Sequence, residues 1–286
     1  MLNLLTKSRI SEFEDVLMMI YKSKNPLTSF LDGGAHLGGT SIRMVNRGGP
    51  SSKCFSFEPY PPNIELFKYK DDPRIQLYPL ALGSKPGISR FFAHHRATAS
   101  TTQDKSDKLS PVGSSVVGRL LTDDEYSPSN YVDVSVVRAD DVISEDEKIE
   151  FIKLDLQGGE YDALLGMSRI ISTAYLVYVE FCQHRESILA LMDEAGYRPA
   201  DTQYFFTGKL SDLNDEFIDY FEDPMQAKAT TGLVYVTAWR RYDWDNYSGT
   251  FNFCKSKFNM FMTNILFVHR AYQQRLADAF CISKLY

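Results

Sequence analysis

The 286-residue chain carries 31 Lys and Arg against 37 Asp and Glu, a formal net charge of −6, so it lacks the basic excess that phosphate backbones demand and is not expected to be a generic nucleic-acid binder. Hydrophobic residues at 44% and charged residues at 24% are proportions of a globular chain, which excludes disordered and fibrous architectures. At about 100–200 residues per domain, the length suits one large domain or two small ones.

Residues 10 to 22 place Ile10, Phe13, Leu17 and Ile20 at helical spacing, with Ser11 and Glu14 in capping-box positions, so the chain is expected to open on an amphipathic helix within residues 1–28. Acidic residues from position 12 onward set this stretch apart from a signal peptide, and no window approaches the ~18 apolar residues of a membrane helix. Cys54, Cys182, Cys254 and Cys281 are scattered without a CxxC pair, as suits reduced thiols in a cytoplasmic protein.

The segment 29–38, SFLDGGAHLG, has an apolar start, an acid and a run of small residues before TSIRMVNRG, which predicts a strand, a glycine turn and a helix. A second strand is expected at Lys53–Phe57, ending in Glu58, with Pro59, Pro61 and Pro62 leading into helix NIELFKYK; a third runs from Ile75 to Leu82. This alternation predicts a Rossmann-like α/β domain, placed at 29–240, with a mostly parallel sheet whose last strand is antiparallel. Residues 84–135 interrupt it as an insertion: ISRFFAHH reads as a strand, the polar stretch after it as a lid, and YVDVSVV as a strand that pairs antiparallel with the first. Alternation resumes with strand EFIKLDL, a helix over Tyr161–Ser172, strand AYLVYVEF, helix ESILALMDEAG with Gly196 as its cap, and a final strand GLVYVTAWRR. Over 255–280, Phe258, Phe261, Met262, Ile265 and Val268 share one helical face, so residues 241–286 are expected to form a helical extension.

Three places can carry chemistry. Small residues in the turn Asp32–Gly38 let backbone amides approach a nucleotide-like ligand, and Glu58, 20 residues after Gly38, suits a ribose hydroxyl pair of either a dinucleotide or S-adenosylmethionine. A carboxylate at Asp32 favours the second, because it would accept hydrogen bonds from a cationic amino acid but sit poorly beside a pyrophosphate. Asp155 ends a central strand, where a carboxylate can orient a hydroxyl and take its proton; His184, beyond strand YVEF, is the second choice of base. Glu160 either joins this chemistry or serves as an acid in a helix's first turn. Asp155 and Glu180, at neighbouring strand ends, would be the ligands if Mg²⁺ lowered the acceptor's pKa.

FLDGGAHLG, FSFEPYPPNIELF with its E-P-x-x-x-N element, LYPLALGS, and FIKLDLQGGEYDALLGM with its D-x-x-G-x-E signature occur in the order of the FkbM family of S-adenosylmethionine-dependent methyltransferases, which the chain resembles over about residues 29–181. The resemblance implies that Asp32, Gly33, Gly34, Ala35 and Gly38 wrap the methionine part of the donor, that Glu58 binds its ribose, and that Ala81 and Leu82 lie near its adenine. It implies transfer of a methyl group to a hydroxyl of a small-molecule, sugar, glycan or natural-product acceptor, with Asp155 and Glu160 as the signature acids. His36 departs from the glycine that many proteins of this fold carry there. A dinucleotide-dependent oxidoreductase and a non-catalytic donor-binding scaffold are the competing expectations.

Overall fold

The computed structural model describes residues 26–92, 115–116, 131–180, 184–209, 225–227, 233–241 and 259–272. The expected opening helix, the lid over the polar stretch, and three of the four cysteines lie outside these residues; Cys54 is a buried free thiol.

Strands β1 (Ser29–Gly33), β2 (Lys53–Phe57), β3 (Ile75–Tyr78), β8 (Phe151–Leu154) and β9 (Leu176–Glu180) form the parallel half of a nine-stranded sheet in the order β3-β2-β1-β8-β9. This is the doubly wound Rossmann-like order, with β1 at the centre. Strands β8 and β9 are apolar except for Lys153 and Glu180 because helices cover both faces, and every residue of each is buried. Alternate residues feed two cores. Leu31, Ile152, Leu154 and Val177 face one, with helices α4 (Glu160–Leu165), α5 (Ser168–Ile171) and α6 (Arg185–Glu194); Phe30, Phe151 and Leu176 face the other, with α1 (Gly39–Gly48).

The sheet continues past β9 through β13 (Asn259–His269), β10 (Tyr197–Lys209), β12 (Leu233–Arg241) and β11 (Met225–Ala227), all paired antiparallel. Strand β13 corrects the helical extension expected from 255–280. It is inserted between β9 and β10, so both its edges are paired, and Asn264 to Val268 are all buried. A short apolar run such as Ile265–Val268 mimics a helical stripe wherever the spacing happens to allow it.

Two further elements are shorter than expected. The strand 75–82 divides at Pro79, which has no N–H for a ladder, and β4 (Ala81–Leu82) joins a second sheet, ordered β4-β7-β5-β6 with β5 (Gly87–Phe92), β6 (Ser115–Val116) and β7 (Tyr131–Val137). Strands β5 and β7 pair antiparallel as expected. The helix expected over 161–172 is broken into α4 and α5 at Gly166, where the carbonyl of Gly83 packs so close that a Cβ would lie 1.9 Å from it. Helices α2 (Pro61–Leu66) and α3 (Ala139–Val142) complete the set, and among the described residues no helix is long and apolar enough to cross a membrane.

Candidate active site at the carboxyl edge of the sheet

Gly33, the last residue of β1, pairs with Phe57 on one side and Leu154 on the other. Glu58 and Asp155 are therefore the first residues beyond each neighbouring strand, and they flank the glycine turn that leaves β1. The turn is fastened to β2 by the amides of Gly34 and Ala35, both donating to the Phe57 carbonyl at 3.0 Å. At Gly34, φ is +74° and a Cβ would stand 2.0 Å from the Asp155 carbonyl oxygen, so only glycine fits. A cleft of about 390 Å³ opens here, within the range of small-ligand sites.

The glycine turn contributes Gly34, Ala35 and His36 to the cleft; α1 contributes Gly39, Thr40 and Arg43; and Glu58 and Asn63 stand together on the β2 side. Ala81, Leu82 and Phe91 arrive from the second sheet, and Lys153, Asp155 and Gln157 from the end of β8. Of the expected site residues, Gly34, Ala35, Glu58, Ala81, Leu82 and Asp155 thus line one cleft. Asp32, Gly33, Gly38, Glu160, Glu180 and His184 are not on its wall.

Asp32 is wholly buried; its Oδ2 accepts from Ser41 Oγ at 2.7 Å and its Oδ1 lies 3.4 Å from Lys153 Nζ. Gly38, with φ +83°, caps α1 and packs on the Phe67 ring, where a Cβ would lie 2.7 Å from it. Glu160 is 1% exposed and turns inward: its carboxylate accepts from the Leu156 amide at 2.7 Å and from the Gly158 amide at 2.9 Å, bracing the loop after β8. Burial, reinforced by the Asp155 charge, pushes its carboxyl up to about 7 against those hydrogen bonds. His184 is exposed, adopts φ +50° at the start of α6 and stacks on Tyr161 at 5.7 Å.

Glu58 is held in place by protein donors, the His36 amide at 2.8 Å, the Tyr60 amide at 2.9 Å and Asn63 Nδ2 at 3.2 Å. Burial raises its carboxyl above the ordinary range although these hydrogen bonds oppose it. Burial also lowers the His36 imidazole, with Lys153 adding to the effect, which leaves the ring uncharged at neutral pH. His36 has φ +52°, so the position does use the left-handed backbone region that glycine would occupy more cheaply.

The residue that sequence reasoning missed is Lys153. Its Nζ is 3.4 Å from Asp32 Oδ1 and 3.7 Å from Asp155 Oδ2, and it donates to the carbonyls of Gly33 (3.3 Å) and Gly34 (3.2 Å). Burial alone would lower its pKa, but Asp32 and Asp155 outweigh that and hold the ammonium above its ordinary value. It is therefore a fixed cation and no proton acceptor. The signal was a lysine inside an apolar strand, two positions before Asp155 and so on the same face. Asp155, with 46% of its side chain exposed, is raised by its partial burial but lowered further by Lys153 and by the hydrogen bond from Gln157, for a net shift below the usual carboxylate range.

A Mg²⁺ site at Asp155 and Glu180, the pair named as ligands if a metal took part, does not fit the residues present. Gln157 Nε2 lies between the two carboxylates, donating to Asp155 Oδ1 at 2.8 Å and to the Glu180 oxygens at 3.1 and 3.0 Å, while the Gln157 amide donates to Glu180 Oε2 at 3.1 Å. N–H donors thus face the oxygens that a hard cation would need, and among the described residues no group of three or more His, Cys, Asp or Glu is placed to hold a metal.

The sequence model described as the methyltransferase FkbM domain matches residues 32–199. No curated protein matches the chain in sequence. Solved structures similar to it include a methyltransferase FkbM from Methylobacillus flagellatus KT, at 13% identity and a TM-score of 0.39, with 83% of this chain and 57% of that one covered. Another is a precorrin-6y C5,15-methyltransferase from Geobacter metallireducens GS-15, at 10% identity and a TM-score of 0.39, with 82% and 92% covered. A third is an S-adenosylmethionine-dependent O-methyltransferase from Thermotoga maritima, at 11% identity and a TM-score of 0.38, with 92% and 67% covered.

Proposed function

The chain belongs to the FkbM methyltransferase family, and from that premise we propose that it moves a methyl group from S-adenosylmethionine to a hydroxyl oxygen of a sugar, glycan or natural product. The observation that carries this is the single cleft in which the glycine turn, Glu58 and Asp155 converge at the carboxyl edge of β1, β2 and β8. The family match spans both the glycine turn and the Asp155 loop, which favours the methyl donor over a dinucleotide.

Bound S-adenosylmethionine supplies a methyl group already activated by a sulfonium, so the protein's task is to align an acceptor oxygen and to exclude water. In this reading Glu58, fixed by three hydrogen bonds, accepts from the ribose hydroxyls, and Ala81 and Leu82 form an apolar wall for the adenine. Asp155 receives the acceptor's hydrogen bond. Its low proton affinity is no obstacle, because a hydroxyl becomes strongly acidic as the new C–O bond forms and a weak base then suffices. The proton passes to Asp155 Oδ, while the neighbouring Lys153 ammonium keeps that carboxylate ionised beforehand. Glu160 acts one step removed, by holding the backbone on which Asp155 and Gln157 sit.

Incubation with methyl-labelled S-adenosylmethionine and panels of sugars, glycans, phenolic natural products and RNA, followed by mass detection of a +CH₂ product, tests the assignment. Asp155→Asn is expected to keep S-adenosylhomocysteine affinity and to lose about 10²–10⁴ in turnover, the range for a positioned acid–base group. Binding of NAD without S-adenosylhomocysteine would sink the proposal, and unchanged turnover in Asp155→Asn would remove Asp155 from the chemistry.

A further inference from the structure

Arg43 belongs to the second turn of α1. Side chains on a helix lean toward its N-terminus, which carries the guanidinium back over the first turn, where Nη2 is 3.5 Å from Thr40 Oγ1. Arg43, Thr40 and Gly39 make one wall of the cleft. The first turn of α1 has no acidic side chain and its N-cap, Gly38, supplies no side-chain cap, so backbone amides and guanidinium add positive potential to the same side. The cleft's acids, Glu58 and Asp155, stand at the ends of β2 and β8 instead. Lys153, the neighbouring cation, is in contact with Asp32, Asp155 and two carbonyls.

We propose that Arg43 clamps the α-carboxylate of the methyl donor, an inference that rests on the methyl-donor role assigned to the cleft. The donor ends in an amino acid. Its sulfonium and ammonium suit carboxylate neighbours, whereas its carboxylate needs a fixed cation, and a planar guanidinium beside helix amides matches a carboxylate's two oxygens. An anionic group on the acceptor is the rival occupant of the same wall.

The two are separated by calorimetric titration of the whole chain, as wild type, Arg43→Gln and Arg43→Lys, with two probes. S-adenosylhomocysteine carries the amino-acid end; 5′-methylthioadenosine keeps the adenine, ribose and sulfur but lacks it. In Arg43→Gln, S-adenosylhomocysteine binding is expected to weaken by about 10- to 100-fold, as for loss of a charge-assisted pair, while 5′-methylthioadenosine changes by less than about twofold. Arg43→Lys falls between, because it keeps the charge without the fork. Equal weakening of both probes marks a packing role and overturns the inference. Unchanged S-adenosylhomocysteine affinity overturns it too, and if turnover still falls, Arg43 serves an acceptor anion. Failure of the wild type to bind S-adenosylhomocysteine would reject the methyl-donor role itself, an outcome visible before any variant is compared.

Discussion

Glu160 shows how one residue's surroundings set a measurable property of the fold. Its carboxyl, 1% exposed and pushed up to about 7 from an ordinary 4.5, binds its proton more tightly in the folded chain than in the unfolded one. Below pH 4.5 both states are protonated and the full stability is present. Between 4.5 and 7 only the folded state keeps the proton, so stability falls as pH rises through that window and levels off above it. The stability of wild type relative to Glu160→Gln, which cannot titrate, is expected to fall by roughly 3 kcal/mol between pH 4.5 and 8. Urea unfolding at the two pH values measures it, and parallel profiles for the two proteins would show that Glu160 does not titrate this way. At the same scale, sequence reasoning put Glu58 and Asp155 at strand ends because both are acids immediately after apolar strands, and both line the cleft. It set Asp32 against the ligand when the carboxylate instead faces Ser41 and Lys153, a choice made by side-chain direction, which spacing does not encode.

At the scale of elements, the strands that alternate with helices were legible because each is short, apolar and ended by a turn residue. The stretch 259–269 was not, because Asn264 to Val268 are buried in succession and show no alternation of apolar and polar residues to betray a period of two. Phe267 separates the helical expectation from the observed strand. On a helix it would lie opposite the apolar stripe of Phe261, Met262 and Ile265; in β13 it is 0% exposed and packs in the core with Val177 and Ile188. Phe267→Ala is therefore expected to cost about 3–5 kcal/mol, the range for emptying an aromatic site in a core, against less than about 0.5 kcal/mol for an exposed helical position. Chemical denaturation of the variant decides between them, and a near-neutral result would remove β13 from the sheet.

At the scale of the whole molecule, the cleft is not a feature of the large sheet alone. Its walls come from the carboxyl edge of that sheet and from the smaller sheet that delivers Ala81, Leu82 and Phe91, so a ligand that fills the cleft would touch both. Sequence alternation could not reveal this division, since 75–82 looks like one strand until Pro79 sends its two halves to different sheets. A ligand that binds only the folded state at about 100 times its Kd adds about 2.7 kcal/mol of stability, which raises Tm by roughly 4–5 °C in a chain of this size. With the ligand filling the cleft, S-adenosylhomocysteine is expected to give that shift and to slow amide hydrogen exchange in residues 81–91 as well as in 33–40. Exchange is the more searching measurement, since a shift in Tm alone does not say where the ligand lies. Protection confined to 33–40 would mean that the glycine turn holds the ligand without the second sheet. The apolar wall of Ala81 and Leu82 would then have no part in recognising the adenine, and the specificity of the site would rest on Glu58 and the glycine turn.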